Sequence, residues 1–527
     1  MTGVGVHWFR HGLRLHDNVP LLKAIDSCSH LIPLYILDTE YFQPGKVGAN
    51  RLGFLMDSLR CLDADLQKIG SKLFVAKGNP SEVIKKLIIE FKVTVLSFER
   101  DTEPYNKMMD EKLMEMSKND NIQVHPMWGH TMFDPDYLLS LNNGEPPLTM
   151  TSFLNLMSTT GDPPKPKDPP KSIPPPPSTS LLCDGVFVYP SVPNLSELQE
   201  YGFKDTDKTT WFLAGEQEAI KVMENFMAQK SRVAKFEKPK TEPTALDPDT
   251  TALSPYVTRG SLSSRLFYHR LKDTVKGTSS SKPPVSLKGQ LYWREMAYLI
   301  GYASPNFNQM LGNPICKQIP WLTGNDASEL LEKWESSQTG YPAVDAVMNQ
   351  LRNEGWMHHL ARHLVACFLT RGDLWVSWEL GRDVFDKYLV DADWSINNFS
   401  WHWLSCSAFF HQYFRCYSPV AFFKKTDPNG NFIRKHVPIL AKFPDKYIYE
   451  PWTAPKGIQT ACGCIIGKDY PKPMVDHSKE VKINMGKMKS AYAASKAEGI
   501  SDSSKKQPKR KLKQEDLTKF VEVKKKR

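Results

Sequence analysis

Cysteine is sparse: nine residues in 527, odd in number and scattered. That excludes the disulfide framework of a small secreted scaffold and fits reduced thiols in an intracellular compartment. Cys462 and Cys464 form the one close pair. With no second Cys/His pair at ligand spacing, they read as a strand or turn feature rather than half a zinc site, and no metal is expected. Long hydrophobic runs are missing too; none approaches the roughly 20 residues that a membrane-spanning helix needs. The N-terminal Val4-Gly-Val-His-Trp-Phe9 has the β-branched character of a strand, not the basic-then-apolar layout of a signal peptide, so secretion is not expected. No Gly-x-Gly-x-x-Gly loop is present, which removes support for a dehydrogenase-type nucleotide site. Over most of the chain there is little surplus of one charge sign. The formal net charge is +10, but residues 501–527 hold eleven Lys/Arg against four Asp/Glu, which leaves +3 for the first 500.

With 41% hydrophobic and 24% charged residues the composition is that of a globular protein, and the length predicts two or three domains. Strand-like stretches at 4–9, 31–36, 72–76 and 93–98 alternate with helical ones at 51–69 and 81–91. The alternation predicts an α/β domain with a doubly wound parallel sheet over residues 1–130. An interdomain segment follows over 131–214, where residues 161–178 carry nine prolines and are expected to be an extended surface linker. From 215 to 490, apolar spacings of three and four predict a large all-α domain, and 491–527 reads as a basic disordered tail. Eight of the thirteen tryptophans fall between Trp321 and Trp403. A helical core alone accounts for most of them, but not for the residues among which they are set.

Those residues include Asp391-Ala-Asp-Trp-Ser-Ile-Asn-Asn-Phe-Ser-Trp-His-Trp403. Five more motifs stand in order along the chain: Phe9-Arg-His-Gly-Leu-Arg-Leu-His-Asp-Asn18, Thr250-Thr-Ala-Leu-Ser-Pro-Tyr256, Gln290-Leu-Tyr-Trp-Arg-Glu295, Thr339-Gly-Tyr-Pro-Ala-Val-Asp345 and Gly355-Trp-Met-His-His-Leu-Ala-Arg-His363. Together they resemble the photolyase/cryptochrome family, most closely its animal-type (6-4) photolyases. The resemblance implies an FAD-binding all-α catalytic domain and light-driven repair of (6-4) photoproducts in UV-damaged DNA.

Taken as chemistry, Thr250, Thr251, Leu253 and Ser254 offer hydroxyls and backbone N–H groups to a pyrophosphate, although such a loop in isolation is more often only a helix cap. Arg294 offers a second phosphate or flavin contact, Asp393 can accept from flavin or ribose, and Asp391 is expected to pair with Arg362. By the resemblance, Asn397 neighbours flavin N5, and Trp401, Trp378 and Trp321, with Trp375 as an outer member, form an indole chain from flavin to surface. Trp321 lies about three residues farther from Trp334 than in animal relatives. His359 and His363, four apart, share a helical face, and Trp356 is placed on the same stripe as a cofactor contact. A metalloprotease reading of that helix fails because Leu360 stands where Glu is needed. The two histidines match the lesion-pocket histidines of the (6-4) branch, where one serves as general acid. Gln290, Trp293, Leu360, His402, Trp403 and Tyr417 complete the expected substrate contacts, by stacking on extruded bases or bonding to their edges.

Three residues depart from the family pattern: His402 stands where Met is usual, Phe399 at a normally small position and Phe423 at a usual Gly. The rival reading is an animal cryptochrome without repair activity, acting as circadian repressor or light sensor. An insect-type sensor fits less well, because that group has Cys at the position of Asn397. Whether an antenna chromophore, deazaflavin or folate, also binds is left open. The tail cluster Lys505-Lys-Gln-Pro-Lys-Arg-Lys-Leu-Lys513 predicts nuclear targeting, and Gln514, Leu517 and Phe520 resemble a degenerate sliding-clamp motif. The chain is expected to act as a monomer.

Overall fold

The structure is a computed structural model and describes residues 3–119, 121–177 and 189–497. The tail cluster and the clamp-like motif lie outside the described residues. Five strands, β1 (Val4–Phe9), β2 (His30–Leu37), β3 (Phe74–Lys77), β4 (Val93–Glu99) and β5 (Gln123–Met127), form one parallel sheet in the order β3-β2-β1-β4-β5. Both faces are covered. In β2, Ile32, Leu34 and Ile36 enter one core with Val6, Trp8 and Phe98, while Leu31, Tyr35 and Leu37 enter the other with Phe9 and Val75. Burial on both faces is why these strands read as nearly continuous apolar runs. The covering helices begin at side-chain caps: Asn18 accepts from the Leu21 N–H ahead of Val19–Ile25, and Asn79 from the Ser81 N–H ahead of Pro80–Phe91.

The second half is helical, as expected, and packs around two cores. Residues 131–214 are more structured than a linker. Helices Pro135–Leu141 and Met150–Thr160 bury Leu138, Phe153, Leu156 and Met157 in the same core as Tyr292 and Met296 of the helical domain. The proline-rich run is extended, yet bonded on both sides. Asp17 and Lys167 exchange hydrogen bonds, the Pro175 carbonyl accepts from Leu31, and Asp162 accepts from Tyr268 of the helix Ser264–Val275. The last helix, His477–Ala497, carries regular structure past residue 491, so the tail boundary falls later than expected.

Candidate functional site

The site is built where helices Leu287–Ala303, His359–Cys367 and Trp394–Leu404 meet the loop 236–254. Asp393 caps the last of these, accepting from the Ile396 N–H, and its other oxygen accepts from the Tyr298 hydroxyl. Burial pushes the Asp393 carboxyl up, but His130, whose Nε2 stands 4.0 Å from it, the charge of Arg294 and the Tyr298 hydroxyl hold it below the usual range. Arg294 is buried over the Tyr298 ring, and both of its terminal nitrogens lack a protein partner. A buried guanidinium left without acceptors costs several kcal/mol, so the pocket is short of an anionic or carbonyl-rich ligand at that point. Arg362 reaches both carboxylate oxygens of Asp391 at 3.1 and 2.8 Å, as expected. Asn397 donates to the Arg382 carbonyl at 3.2 Å, which leaves its Oδ1 available to a ligand.

Thr250 and Thr251 bend back on their own loop, accepting from Ala252 and Leu253 at 3.4 Å each, while Ala252 takes a left-handed φ of 51°. Leu253 is buried and Ser254, at the start of the helix Ser254–Thr258, is exposed. Next to Thr250 in sequence, a depression of about 460 Å³ is lined by Arg232, Lys235, Glu237, Lys240, Thr241 and Asp249, with Arg232 paired to Asp249 and Lys240 to Glu237. The fit to a dinucleotide rests instead on the buried, unpartnered guanidinium nitrogens of Arg294 beside Asp393, which suit a diphosphate or a carbonyl edge, and by that chemistry the residues present fit FAD.

The two paired histidines sit on one face, with ring centroids 6.0 Å apart. His363 Nδ1 lies 3.0 Å from the Tyr417 hydroxyl, whereas both ring nitrogens of His359 are buried without a partner. Burial, and after it the charge of Lys238, pushes both imidazoles down, His363 to about 3. Lys238 itself is pushed down to about 8, by burial first and then by Arg362. Lys238 was not singled out in the sequence, because a lysine in a loop 121 positions before His359 carries no local signal. Trp293 and Trp403 meet edge to face at 5.5 Å and are both half-buried, a cleft wall suited to bases. Leu360 lies on the histidine helix, half-buried. Gln290 donates to the Pro284 carbonyl at 3.2 Å.

Two expected placements are corrected. Trp356 is not on the histidine helix. Gly355, at φ 70°, ends the helix Pro342–Glu354, and His358 caps the next one by accepting from Leu360, so Trp356 falls in the intervening turn and packs on Trp211 and Phe212. His402 does not face the cleft of Trp293 and Trp403, where a substrate contact was expected. It is fully buried, its Nε2 lies 2.8 Å from the Phe307 carbonyl, and its ring packs on Trp378. Of the other departures, Phe399 lines the pocket, stacked on Phe409 at 4.4 Å and 6.0 Å from Trp293, whereas Phe423 packs away from it against Phe432.

Trp401, Trp378, Trp321 and Trp375 belong to one buried cluster. Trp401 nests over Gly381, where a Cβ would stand 2.3 Å from its ring, and Trp321 and Trp375 touch at 4.6 Å.

Residues 5–171 match the family description "DNA photolyase", and residues 286–490 match "FAD binding domain of DNA photolyase". A (6-4) DNA photolyase of Arabidopsis thaliana is 46% identical over 512 residues, covering 94% of this chain and 90% of its own length. Cryptochrome-1 of Rattus norvegicus is 47% identical over 490 residues, covering 92% and 82%. Among solved structures, a bacterial class III photolyase from Agrobacterium tumefaciens superposes with a TM-score of 0.78 at 29% identity, over 94% of this chain and 98% of that one.

Proposed function

The chain belongs to the photolyase/cryptochrome family, and from that premise we propose that it binds UV-damaged DNA and repairs (6-4) pyrimidine–pyrimidone photoproducts under light. The observation that carries this reading is His359: an imidazole with both nitrogens buried and unpartnered beside the His363–Tyr417 pair, a deficit that the polar edges of a bound lesion would satisfy. Arg294, Asp393 and Asn397 would hold FAD, which when bound would supply the light-driven electron.

The protein's own work is to hold the lesion and deliver a proton. Trp293 and Trp403 stack on the extruded bases, and the Gln290 carbonyl oxygen and the Tyr417 hydroxyl meet their edges. His359 and His363 are neutral at rest and offer N–H groups as hydrogen-bond donors. Lys238, at about 8, is the member of this cluster that still holds its extra proton at neutral pH, and that proton is relayed through His363, which takes it on one ring nitrogen as it gives one up from the other to the migrating hydroxyl or amino group. For the N-terminal domain, a second chromophore, deazaflavin or folate, is a separate proposal.

Phe399 favours a second reading. Its ring occupies pocket space between Trp293 and Phe409, which suits a signalling cryptochrome that no longer admits a lesion. Illuminating the reduced protein with oligonucleotides carrying either a (6-4) lesion or a cyclobutane dimer separates the two. Chromatography is expected to show the (6-4) lesion converted to intact bases. Conversion of neither, by a protein whose flavin photoreduces normally, moves the chain to the signalling branch; conversion of the dimer alone overturns the pocket assignment.

A further inference from the structure

Immediately after β5 the N-terminal domain sends a loop, residues 128–133, against the helical domain, and the contact is built from buried polar groups. The Glu295 carboxylate, buried, accepts from the Met132 and Phe133 N–H groups at 3.0 Å each, and the Ser264 hydroxyl donates to the His130 carbonyl at 3.2 Å. Glu295 stands next to Arg294 and three residues before Tyr298 on the helix Leu287–Ala303, so one stretch of helix both anchors the loop and lines the cofactor pocket. Held this way, His130 is 6% exposed and its Nε2 lies 2.7 Å from the Tyr298 hydroxyl. That hydroxyl donates to Asp393 Oδ2. It has one hydrogen to give, so it accepts from His130, and Nε2 carries the imidazole hydrogen. At 4.0 Å from Asp393 Oδ2, Nε2 is too far to bond to the carboxylate itself. Imidazole, hydroxyl and carboxylate therefore form one directed chain of donors across the domain boundary.

We propose that His130 is a positioning residue for the cofactor: acting through Tyr298, it holds Asp393 ionised and aimed into the pocket, so that flavin binding depends on a residue of the sheet domain. The inference rests on FAD lying against Asp393. Burial alone favours the protonated carboxyl, and the donor chain opposes it together with Arg294. The His130 N–H polarises the Tyr298 hydroxyl and makes it a stronger donor. Burial first, and Arg294 after it, push His130 down to about 3, so the imidazole is neutral; burial and then Asp393 push the Tyr298 hydroxyl far up, so it keeps its hydrogen. Asp393 Oδ1 accepts from the Ile396 N–H at 2.9 Å. A carboxylate has about four acceptor directions, so about two stay free for a ligand. The Tyr298 ring also lies under Arg294 at 4.4 Å, a contact that Phe at 298 would keep. Across a small cavity shared with Asp393 and Tyr298 stand the His11–Asp101 pair, Tyr41, Glu103 and Arg259. Their charges act on Asp393 alike in parent and variants, so a difference between pH profiles reads the donor chain.

The FAD dissociation constant of the full-length protein, measured by flavin fluorescence in the dark from pH 4.5 to pH 8, tests this. The carboxylate accepts at both oxygens only when ionised, so binding is lost as pH falls through its pKa, and removing a donor raises that pKa. In Tyr298→Phe the acid loss of affinity should begin about one to two pH units higher than in the parent, the worth of a hydrogen bond to a charged group. His130→Leu should move the limb the same way by less, and His130→Gln, whose amide can still donate to the hydroxyl, should keep the parent profile. In an Asp393→Asn background, where position 393 no longer titrates, Tyr298→Phe should leave the shape of the profile unchanged. An affinity lowered equally at every pH in Tyr298→Phe, a parent profile in His130→Leu, or a limb that moves in the Asp393→Asn background as well overturns the proposal. Parent affinity at every pH in Asp393→Asn alone is a separate result: it brings down the placement of FAD on Asp393, and the proposal with it.

Discussion

Lys238→Met isolates the proton supply of the pocket. A lysine with a pKa of about 8 is about nine-tenths protonated at pH 7 and about one-tenth at pH 9. If its proton is the one relayed through His363 to the lesion, the initial repair rate of pre-reduced enzyme should fall about tenfold across that interval. In Lys238→Met that alkaline limb should vanish and the rate at pH 7 should already sit at the lower level. The same change removes the main charge that pushes His359 and His363 down, so both should titrate at higher pH than in the parent, while staying below the free-imidazole range because burial is the larger cause. Single-turnover repair between pH 6 and pH 10, with FAD content and lesion binding measured alongside, reads both effects. A parent profile flat from pH 7 to pH 9, or a tenfold fall retained in Lys238→Met, refutes the reasoning.

Gly381→Ala puts a Cβ 2.3 Å from Trp401 Cη2 and 2.5 Å from Leu369, both fully buried, and overpacking on the order of 1–3 kcal/mol outweighs the gain in helix propensity of up to about 1 kcal/mol; urea unfolding should show a net loss, and an equally stable variant would contradict the packing. His363→Ala should abolish repair while FAD binding and flavin photoreduction persist. Trp401→Phe should cripple photoreduction yet repair when reduced chemically beforehand; absorbance under blue light together with repair assays distinguishes the two. Deleting residues 501–527 should disperse a fluorescent fusion from nuclei with repair in vitro nearly unchanged, and continued nuclear accumulation would end the targeting proposal.

What the sequence made legible follows from where the signal is local. β1, β2 and β4 announce themselves because each is apolar on both faces, whereas β5 is Gln123-Val-His-Pro-Met127, polar at alternate positions and interrupted by proline, and takes its place only by pairing with β4. The ion pair Arg362–Asp391 could be anticipated from motif positions. The orientation of His402 could not: neighbours on a helix project about 100° apart, so the residue between Trp401 and Trp403 need not face the same way as either. Lys238 reaches the histidines only through the tertiary fold. The stripe drawn through Trp356 failed for a local reason, a left-handed Gly355 and a capping His358, both of which stood in the sequence.

The position of Trp321 depends on a short backbone ladder rather than on its distance from Trp334. Leu322 donates to the Trp375 carbonyl at 2.8 Å and Ser377 to the Leu322 carbonyl at 3.2 Å, and the Trp375 indole N–H is tied to the Pro320 carbonyl at 2.8 Å, with Trp375 held at a left-handed φ of 58°. These bonds lie on the near side of the loop that leads through Gly324 to the helix Asn325–Glu335. Residues 323–326 are exposed, so an added length of chain there would be taken up at the surface while Trp321 and Trp375 keep their register, and the segment 323–325 is where a spectroscopic tag or a peptide epitope can be inserted without moving either indole.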